Sequence, residues 1–460
     1  MYCVGRNIIT KTKYPELHAL FEKDASLAKL LSNAALFRLR QNFTSRNKEK
    51  LSPNEIEVLS EIDTTANVSG LAVPKAVISY KFLEKLMRVT NNPDFFAGLP
   101  MQTAQQILKQ RVQDLKNWLA SLRTWKKDPS GFTGKPEMPK YIRSNMTTFV
   151  FTNQDCVIYR DNACCFLKFP GTKYRLEIQP LPEDAILKEV TIKPHYGAFE
   201  VLYAYECKRS VNNADLCYDA AIDLGVDNIA AIVTNEGHSL IVKGGAVKAA
   251  NQWFNKQRSK FTSILTKGRK TKTSPKSKAL NSLSAQRDHF MLDTCHQISC
   301  RVVDFCLEHR IGTLYIGRNR FWKQNTDMGK TNNQNFITIP FTMLREMITY
   351  KAECAGIRVI LHEESYTSQA SFIDGDYIPT YKVDDSKADF SGKRIGRGLY
   401  RAASGETINA DLNGAANILR KAKQDAFEDI QCYDFLKNPK VIYYTSLHDK
   451  RTPIEGIAAA

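Results

Sequence analysis

Hydrophobic positions in the first part of the chain recur with the spacing of helices. Residues 26–43 place leucines and alanines at helical intervals, with Arg38 and Arg40 offset from that stripe, and residues 101–125 repeat the pattern. The stripe indicates a packed core, whereas the offset basic residues would contact phosphate or form a solvated face. A stretch rich in proline and glycine at 128–142 closes this helical segment.

Beyond that stretch, hydrophobic and polar positions alternate in short runs, as is typical of strands. The runs are TTFVF, CVIYR, CCFLKF, YRLEI, LKEVTIK and FEVLYAYE, and they lie between about residues 145 and 206. They predict an antiparallel β-domain.

From residue 219 onward, strand patterns and helix patterns alternate. Residues 219–242 predict two hairpin strands turned by Asn235-Glu236-Gly237. The elements predicted after them are helices at 247–265 and 280–309, a strand at 313–317, a helix at 343–355, a strand at 357–363 and a helix from about Leu412. Hairpin strands, helices, and further strands that end in acidic residues predict an RNase H-like α/β fold.

Length and composition describe an ordinary globular protein. The 460 residues allow two to four domains, and 43% of them are hydrophobic without any run long enough to span a bilayer. The start MYCVGRNIITKTK lacks the features of a secretory signal, and the eleven cysteines include no CxxC pair. We therefore expect a cytoplasmic protein that has no membrane partner and no disulfide framework.

The charge balance points to a polyanionic partner. Lys and Arg number 65 against 48 Asp and Glu, which gives a net charge of +17. So many positive side chains repel one another unless a polyanion neutralises them, so nucleic acid is the first partner to consider. A basic surface on an unrelated enzyme remains the alternative.

Three acidic positions, far apart in sequence, could carry phosphodiester chemistry. Two-metal hydrolysis needs carboxylates that converge from distant elements, and magnesium prefers such oxygen ligands. Asp223 closes the apolar run AAI, Glu363 and Glu364 end the strand IRVILHE, and Asp411 begins an alanine-rich helix.

Each position also has a plainer interpretation. Asp223 could be a turn aspartate, Asp411 could be a helix N-cap, and the glutamate pair could be a solvated strand end. Because side chains alternate along a strand, only one of Glu363 and Glu364 is expected to point at the metals. The pattern does not decide which of the two does so.

Several segments, taken in chain order, resemble the TnpB family, the transposon-encoded relatives of type V CRISPR effectors. They are NAALFRLRQNF, LPMQTAQQIL, KPEMPKYI, IDLGVDNIAAIVTNEG, YKAECAGIRVILHEESYTSQAS and INADLNGAANIL. The resemblance covers nearly the whole chain.

That resemblance implies a multidomain α/β protein with four parts. They are a β-barrel-like wedge domain (1–15 and 128–206), a helical recognition lobe (16–127), a RuvC-like nuclease domain (207–364 and 411–460) and a target nucleic-acid-binding insert (365–410). It also implies an RNA-guided DNA endonuclease. Such an enzyme binds a guide RNA, recognises a short target-adjacent motif, and pairs the guide with double-stranded target DNA in an RNA–DNA heteroduplex.

The resemblance matches Asp223 and Asp411 to the first- and third-motif metal ligands, which hold two Mg²⁺ ions. It departs at the second motif, where Gly317 stands in place of the usual glutamate. Glu363 and Glu364 end the next strand, which we expect to lie about 4.8 Å away. We interpret one of them as a relocated catalytic glutamate. The alternative is a nuclease-inactive RNA-guided DNA-binding repressor.

The insert departs from the family as well. Many relatives carry a zinc-binding CxxC…CxxC pattern there, whereas residues 365–410 contain no cysteine or histidine, so no zinc is expected. The segment GKRIGRGLYR (392–401) suits phosphate contact and base stacking, or is a surface loop of mixed use. A transposase that joins DNA ends is a further hypothesis, which the resemblance disfavours.

Overall fold

The computed structural model describes residues 2–46, 48–161, 164–208, 216–268, 277–318, 339–380 and 389–447. The chain divides into two compact units, Met1–Lys208 and Arg209–Ala460. Among the described helices, none combines the length and apolar character needed to cross a membrane.

The first unit combines helices with antiparallel strands. Its elements are β1 (Tyr2–Ile9), α1 (Pro15–Thr44), α2 (Pro53–Ser69), α3 (Tyr80–Val89), α4 (Met101–Lys127), β2 (Phe149–Thr152), β3 (Val157–Asp161), β4 (Cys164–Lys168), β5 (Arg175–Ile178), β6 (Ile186–His195) and β7 (Ala198–Glu206). The six strand runs and the two helical stripes predicted for this part of the sequence are confirmed.

The strands of this unit form two open sheets, in the orders β1-β7-β6-β2 and β3-β4-β5. The expected barrel-like closure was wrong for the described residues, because β1 and β2 lie at opposite edges of their sheet and do not pair with each other. Helices and strands share one hydrophobic cluster that includes Leu31, Leu108 and Val201. The division into a wedge domain and a helical lobe stays a prediction.

The basic residues offset from the stripe of α1 make internal contacts instead of facing solvent. Arg38 is buried and donates to Glu61 at 2.7 Å. Arg40 donates to the carbonyl oxygen of Pro139 at 2.6 Å and lies over the ring of Tyr141. Neither phosphate contact nor a solvated face therefore fits Arg38, which is buried, whereas Arg40 is partly exposed.

The second unit alternates strands and helices. Its elements are β8 (Tyr218–Asp223), β9 (Asn228–Thr234), β10 (Ser239–Lys243), α5 (Gly245–Thr266), α6 (Lys278–Glu308), β11 (Ile311–Arg318), α7 (Phe341–Cys354), β12 (Arg358–Glu363), β13 (Lys393–Gly396), β14 (Leu399–Arg401), β15 (Thr407–Asn409), α8 (Ala410–Ala422), β16 (Lys440–Ile442) and α9 (Tyr444–Leu447).

Residues 219–242 contribute three strands where the sequence pattern predicted two. The turn between β8 and β9 passes through Gly225, where a side chain would come within 2.8 Å of the carbonyl oxygen of Asn228. A residue with a Cβ would clash there, so glycine permits the tight reversal. The second reversal, at Asn235-Glu236-Gly237, is confirmed between β9 and β10.

The six-stranded sheet of the second unit has the order β12-β11-β8-β9-β10-β16. Strands β8, β11 and β12 are parallel, so their carboxyl ends meet at one edge. Ile222 packs with the cluster that contains residues of α6 and α7, whereas Ala221 packs with Ile418 of α8. Since side chains alternate, Asp223 projects on the same face as Ala221, towards α8.

Candidate active site

Asp223 ends the central strand β8 and meets helix α8 at a glycine. A side chain at Gly414 would come within 2.8 Å of Oδ2 of Asp223, so the glycine makes room for the carboxylate. The apolar residues before Asp223 are fully buried and hold this strand end in place. The carboxylate is therefore enclosed between the sheet and the helix.

Asp411 lies in the first turn of α8, but it is not the N-cap. Asn409 is the cap, because its side chain accepts from the backbone N–H groups of Asp411 at 3.0 Å and Leu412 at 3.2 Å. The side chain of Asp411 is thus available for other contacts. Its Oδ2 accepts from Nδ2 of Asn228 at 2.6 Å, and Asn228 in turn accepts from Lys243 at 2.9 Å.

The two aspartates are close enough to influence each other electrostatically. Burial and then the negative charge of Asp411 raise the pKa of Asp223 to about 7, against an opposing effect of Arg394. Burial disfavours the charged carboxylate, and a second carboxylate nearby disfavours it further. The structure therefore brings Asp223 and Asp411 together, although they are far apart in sequence.

Glu364 occupies the space that a side chain at position 317 would fill. Gly317 pairs with His362 across β11 and β12, and a Cβ on Gly317 would overlap Oε2 of Glu364. That Cβ would also lie 2.8 Å from Cδ1 of Ile418 in α8. Glu364 therefore reaches back over β11 on the face that packs against α8.

Gly317 also borders Asp223. Ile316 lies beside Ile222 in the parallel pair of β11 and β8, so the next residues along, Gly317 and Asp223, are neighbours about 4.8 Å apart at the backbone. The carboxylate of Glu364 thus lies over the residue adjacent to Asp223. The sequence pattern could not decide between Glu363 and Glu364, and only Glu364 points in this direction.

Glu363 makes a different set of contacts. Its Oε2 accepts from Nζ of Lys421 at 2.5 Å, and its Oε1 accepts from the backbone N–H of Ser365 at 2.8 Å. Burial acts to raise the pKa of Glu363, but the bonds from Lys421 and Ser365 outweigh it and lower the pKa. Glu363 therefore forms an ion pair with Lys421, in the last turn of α8.

The insert places arginines next to the acidic residues. Nη2 of Arg394, on β13, lies 3.6 Å from Oδ1 of Asp411, and Nε of Arg397 lies 3.3 Å from Oδ2 of Asp227. Arg394 is about half exposed, so it is accessible to a bound ligand. Arg394 of the segment GKRIGRGLYR therefore lies at the candidate site, and Arg397 pairs with Asp227, the residue before Asn228.

The donor chemistry fits divalent cations only in part. Asp223, Asp411 and Glu364 supply the hard oxygens that magnesium prefers, and the raised pKa of Asp223 shows repulsion that a cation would relieve. Within the described residues, however, no three His, Cys, Asp or Glu side chains form a group arranged to hold a metal ion.

Two residues of this site were missed from the sequence. Asn228 and Lys421 contact the acidic residues, yet neither stood out by residue type alone, whereas Arg394 lies in the segment 392–401 that the sequence had indicated for phosphate contact. A usable signal was present in NADLNGAANILRK, where Asn413, Asn417 and Lys421 recur every fourth residue and so lie on one side of the helix.

A family described as "Probable transposase" (OrfB_IS605) matches residues 203–322, and one described as "Cas12f1-like, TNB domain" matches residues 341–418. The chain is 25% identical over 246 residues to a TnpB-like protein, ORF457, of Acidianus two-tailed virus, which covers 52% of this chain and 47% of that protein.

Two further similarities agree with these matches. The chain is 32% identical over 142 residues to a CRISPR-associated endodeoxyribonuclease, Cas12f1, of Sulfoacidibacillus thermotolerans, which covers 31% of this chain and 29% of that protein. The matched segments thus span half or less of these two relatives. Cas12f1 in a cryo-EM complex with sgRNA and target DNA has a similar fold, at 14% identity and a TM-score of 0.52, over 89% of this chain and 84% of that one.

The fold is therefore the mixed α/β, multidomain fold of such proteins. Two families match successive segments of the chain. The two relatives are named as a TnpB-like protein and as Cas12f1, in agreement with those families. Over these segments the chain is similar to proteins of the TnpB and Cas12f1 families.

Proposed function

We propose that this protein is an RNA-guided DNA endonuclease whose RuvC-like domain hydrolyses phosphodiester bonds. The similarity to an endodeoxyribonuclease supports nuclease chemistry. The net charge of +17 supports nucleic acid partners. As in the complex of the similar fold, the partners are a guide RNA and target DNA, and base pairing between them selects the sequence.

The four parts expected from the sequence form the proposed architecture. The RuvC-like domain comprises residues 207–364 and 411–460, and its parallel strands β8, β11 and β12 support this assignment. Residues 365–410 form the insert that contacts target nucleic acid. Residues 1–15 and 128–206 form the wedge domain, and residues 16–127 form the recognition lobe.

Asp223, Asp411 and Glu364 are the proposed metal ligands. When bound, two magnesium ions supply charge stabilisation at the attacking and leaving oxygens of the phosphate. The observation that carries this proposal is the overlap between the carboxylate of Glu364 and the side-chain space of Gly317. A carboxylate is thereby present where the second-motif glutamate of the family would project, although the residue lies on the next strand.

The surrounding side chains orient these carboxylates and the substrate. Asn228 donates to Oδ2 of Asp411 and fixes its direction, with Lys243 holding Asn228. Arg394 is proposed to turn from Asp411 to the scissile phosphate when DNA enters, because a guanidinium donates well to phosphate oxygens. Glu363 is not proposed as a ligand, since Lys421 already holds it.

The purified complex with guide RNA tests this function on matched plasmid DNA with magnesium. We expect wild type to cleave, and Asp223→Asn and Glu364→Gln to lose roughly 100-fold or more, because each removes a ligand charge. Glu363→Gln should lose distinctly less than Glu364→Gln. Equal losses for the two glutamate variants would contradict the assignment of Glu364.

A nuclease-inactive RNA-guided DNA-binding repressor is the second candidate function. Two observations favour it: glycine stands at position 317, and no three acidic side chains among the described residues are arranged around one ion. Binding of matched DNA by wild type, without nicking at any magnesium or manganese concentration, would establish this second function.

A further inference from the structure

The segment that follows β12 is fixed to one face of helix α8. Asn413, Asn417 and Lys421 are four residues apart and therefore lie on the same side of the helix. The backbone groups that they bond are the carbonyl oxygens of Ser365, Thr367, Ala370 and Pro379 and the N–H of Phe372, at distances of 2.7–3.2 Å. The polar stripe of α8 therefore pairs the segment's backbone groups in place of a neighbouring strand.

These three side chains are enclosed. Asn413 and Asn417 are fully buried, and the side chain of Lys421 is 9% exposed. A buried amide or ammonium group that lost its partners would remain unsatisfied at a large free-energy cost. The segment is therefore held in a single register on the helix.

Lys421 holds the residues on both sides of Glu364. Its Nζ donates to the carboxylate of Glu363 at 2.5 Å and to the carbonyl oxygen of Ser365 at 3.2 Å. The carbonyl oxygen of Glu364 accepts from Oγ1 of Thr367 at 2.9 Å, which closes the turn. The backbone of Glu364 is thus fixed, and this fixes the direction in which its side chain leaves.

The turn itself requires support from its surroundings. Tyr366 has a φ of +66°, in the left-handed region that residues with a Cβ seldom adopt. Such a conformation persists only where neighbouring contacts enforce it. The bonds from Lys421 to Ser365 and from Asn417 to Thr367 flank Tyr366 on either side.

We propose that Lys421 is a positioning residue for the Glu364 carboxylate, with Glu363 as its counter-ion. This inference rests on the proposed function, because it assigns Lys421 to the direction of a metal ligand. Helix α8 then carries one ligand itself, Asp411, and orients a second through Lys421. The two adjacent glutamates therefore have different roles: Glu363 forms the ion pair with Lys421, and Glu364 is the proposed metal ligand.

The test compares Lys421→Met in two backgrounds. One is wild type, and the other is the double variant Gly317→Glu with Glu364→Gly, in which the carboxylate is returned to β11 and no longer depends on the turn. Manganese binding to the protein–RNA complex, followed by the EPR signal of free Mn²⁺, is the first readout. Single-turnover cleavage is the second.

In the wild-type background we expect Lys421→Met to weaken manganese binding about 10- to 100-fold, as is usual when a residue that supports a metal ligand is lost. Lys421→Arg should recover part of this affinity, because it restores a cation beside Glu363. In the double-variant background the same Lys421→Met change should have an effect of less than about 3-fold. Lys440→Met, at an exposed ion pair with Glu308, is the matched control.

Equal effects of Lys421→Met in both backgrounds would overturn the proposal, because they would indicate a general structural role. No effect in wild type would overturn it as well. Failure of wild type to cleave would count against the proposed function alone, since the manganese comparison still reports on Lys421. If Lys421→Met unfolds, Lys421→Gln, which removes the charge and keeps a donor, makes the comparison in the same two backgrounds instead.

Discussion

Gly317 and Gly414 each leave a space that a carboxylate approaches. Glu364 fills the space at position 317, and Asp223 abuts the space at position 414. The sequence marked Gly317 as the loss of a ligand, and tertiary structure adds that the same glycine admits Glu364. Sequence alone could not show this, because the direction of the Glu364 side chain over β11 depends on the register of β11 and β12 and on the packing of α8 against them.

The raised pKa of Asp223 predicts how stability depends on pH in the metal-free protein. Its pKa is about 7 in the folded state against 3.8 as the ordinary value, so the folded state binds more protons between those values. Stability therefore falls as the pH rises through this window. Thermal unfolding of wild type between about pH 5 and pH 8 should show this loss, and Asp223→Asn should show less of it.

Magnesium provides the control for that measurement. A cation that binds the folded state alone should recover the stability of wild type at about pH 8, but not that of Asp223→Asn. Identical pH profiles for the two proteins would contradict the electrostatic description of this site.

Arg394 supplies a second prediction at the residue scale. Arg394→Gln should slow cleavage roughly 10- to 100-fold, because a donor to the phosphate is lost. It should also raise the pKa of Asp223 further, since Arg394 now opposes that rise. The cleavage rate as a function of pH measures both effects. Arg358→Gln is the control, because Arg358 is the first residue of β12 and lies at the other end of that strand from Glu363. An unchanged rate and profile would exclude a role for Arg394.

Among the elements, α8 combines the most functions. It presents Asp411 in its first turn, makes room for Asp223 at Gly414, and binds the 363–372 segment through its polar stripe. The sequence predicted this helix from its alanines and placed its start near Leu412, two residues after the observed start. The polar stripe was overlooked because asparagine and lysine on a helix usually face solvent.

Hydrogen bonds to two aspartates connect distant parts of the insert. Asp374 accepts from Ser371, Ser391 and the backbone N–H of Ala403 at 2.5–3.0 Å, and Asp376 accepts from Ser391 at 2.6 Å. Burial acts to raise the pKa of Asp374, but these bonds lower it. This aspartate pair joins segments of the insert that are far apart in sequence.

We therefore predict that Asp374→Ala loosens the insert without any involvement of metal. Amide exchange in residues 389–409 should accelerate about 10-fold or more, because bonds to a charged group are lost. Addition of a chelator to wild type should leave that exchange rate unchanged, and Asp389→Ala is the matched control. Chelator-induced loosening would contradict this description.

Most long elements could be predicted from the sequence, because their hydrophobic periodicity is strong. The exceptions are the helices α2 and α3, the turn at Gly225, and the strands β13, β14, β15 and β16, which have three or four residues each. Such strands carry too few positions for periodicity and depend on their partners. Asp223 and Asp411 were candidates from the sequence, and the structure brings them close together, whereas the choice of Glu364 required the register of β11 and β12.

For the whole molecule, the net charge of +17 predicts that the proposed binding of guide RNA depends on salt. Neutralised phosphates release counterions, so affinity should fall at least roughly 100-fold between about 50 and 200 mM salt. Filter binding of the guide RNA at several salt concentrations measures this slope. Glu364→Gln should have the wild-type slope, since Glu364 is not proposed to contact RNA. A flat dependence would contradict a binding mode based on phosphate contacts.

Cleavage by variants that exchange glycine and glutamate between positions 317 and 364 tests the proposed relocation of the catalytic glutamate most directly. Gly317→Glu alone should crowd two carboxylates into one space and Glu364→Gly alone should remove one, so each should lose about 100-fold. The double variant returns one carboxylate to that space and should regain at least 10-fold over either single variant. A double variant as inactive as the product of the two single losses would contradict the relocation of the catalytic glutamate.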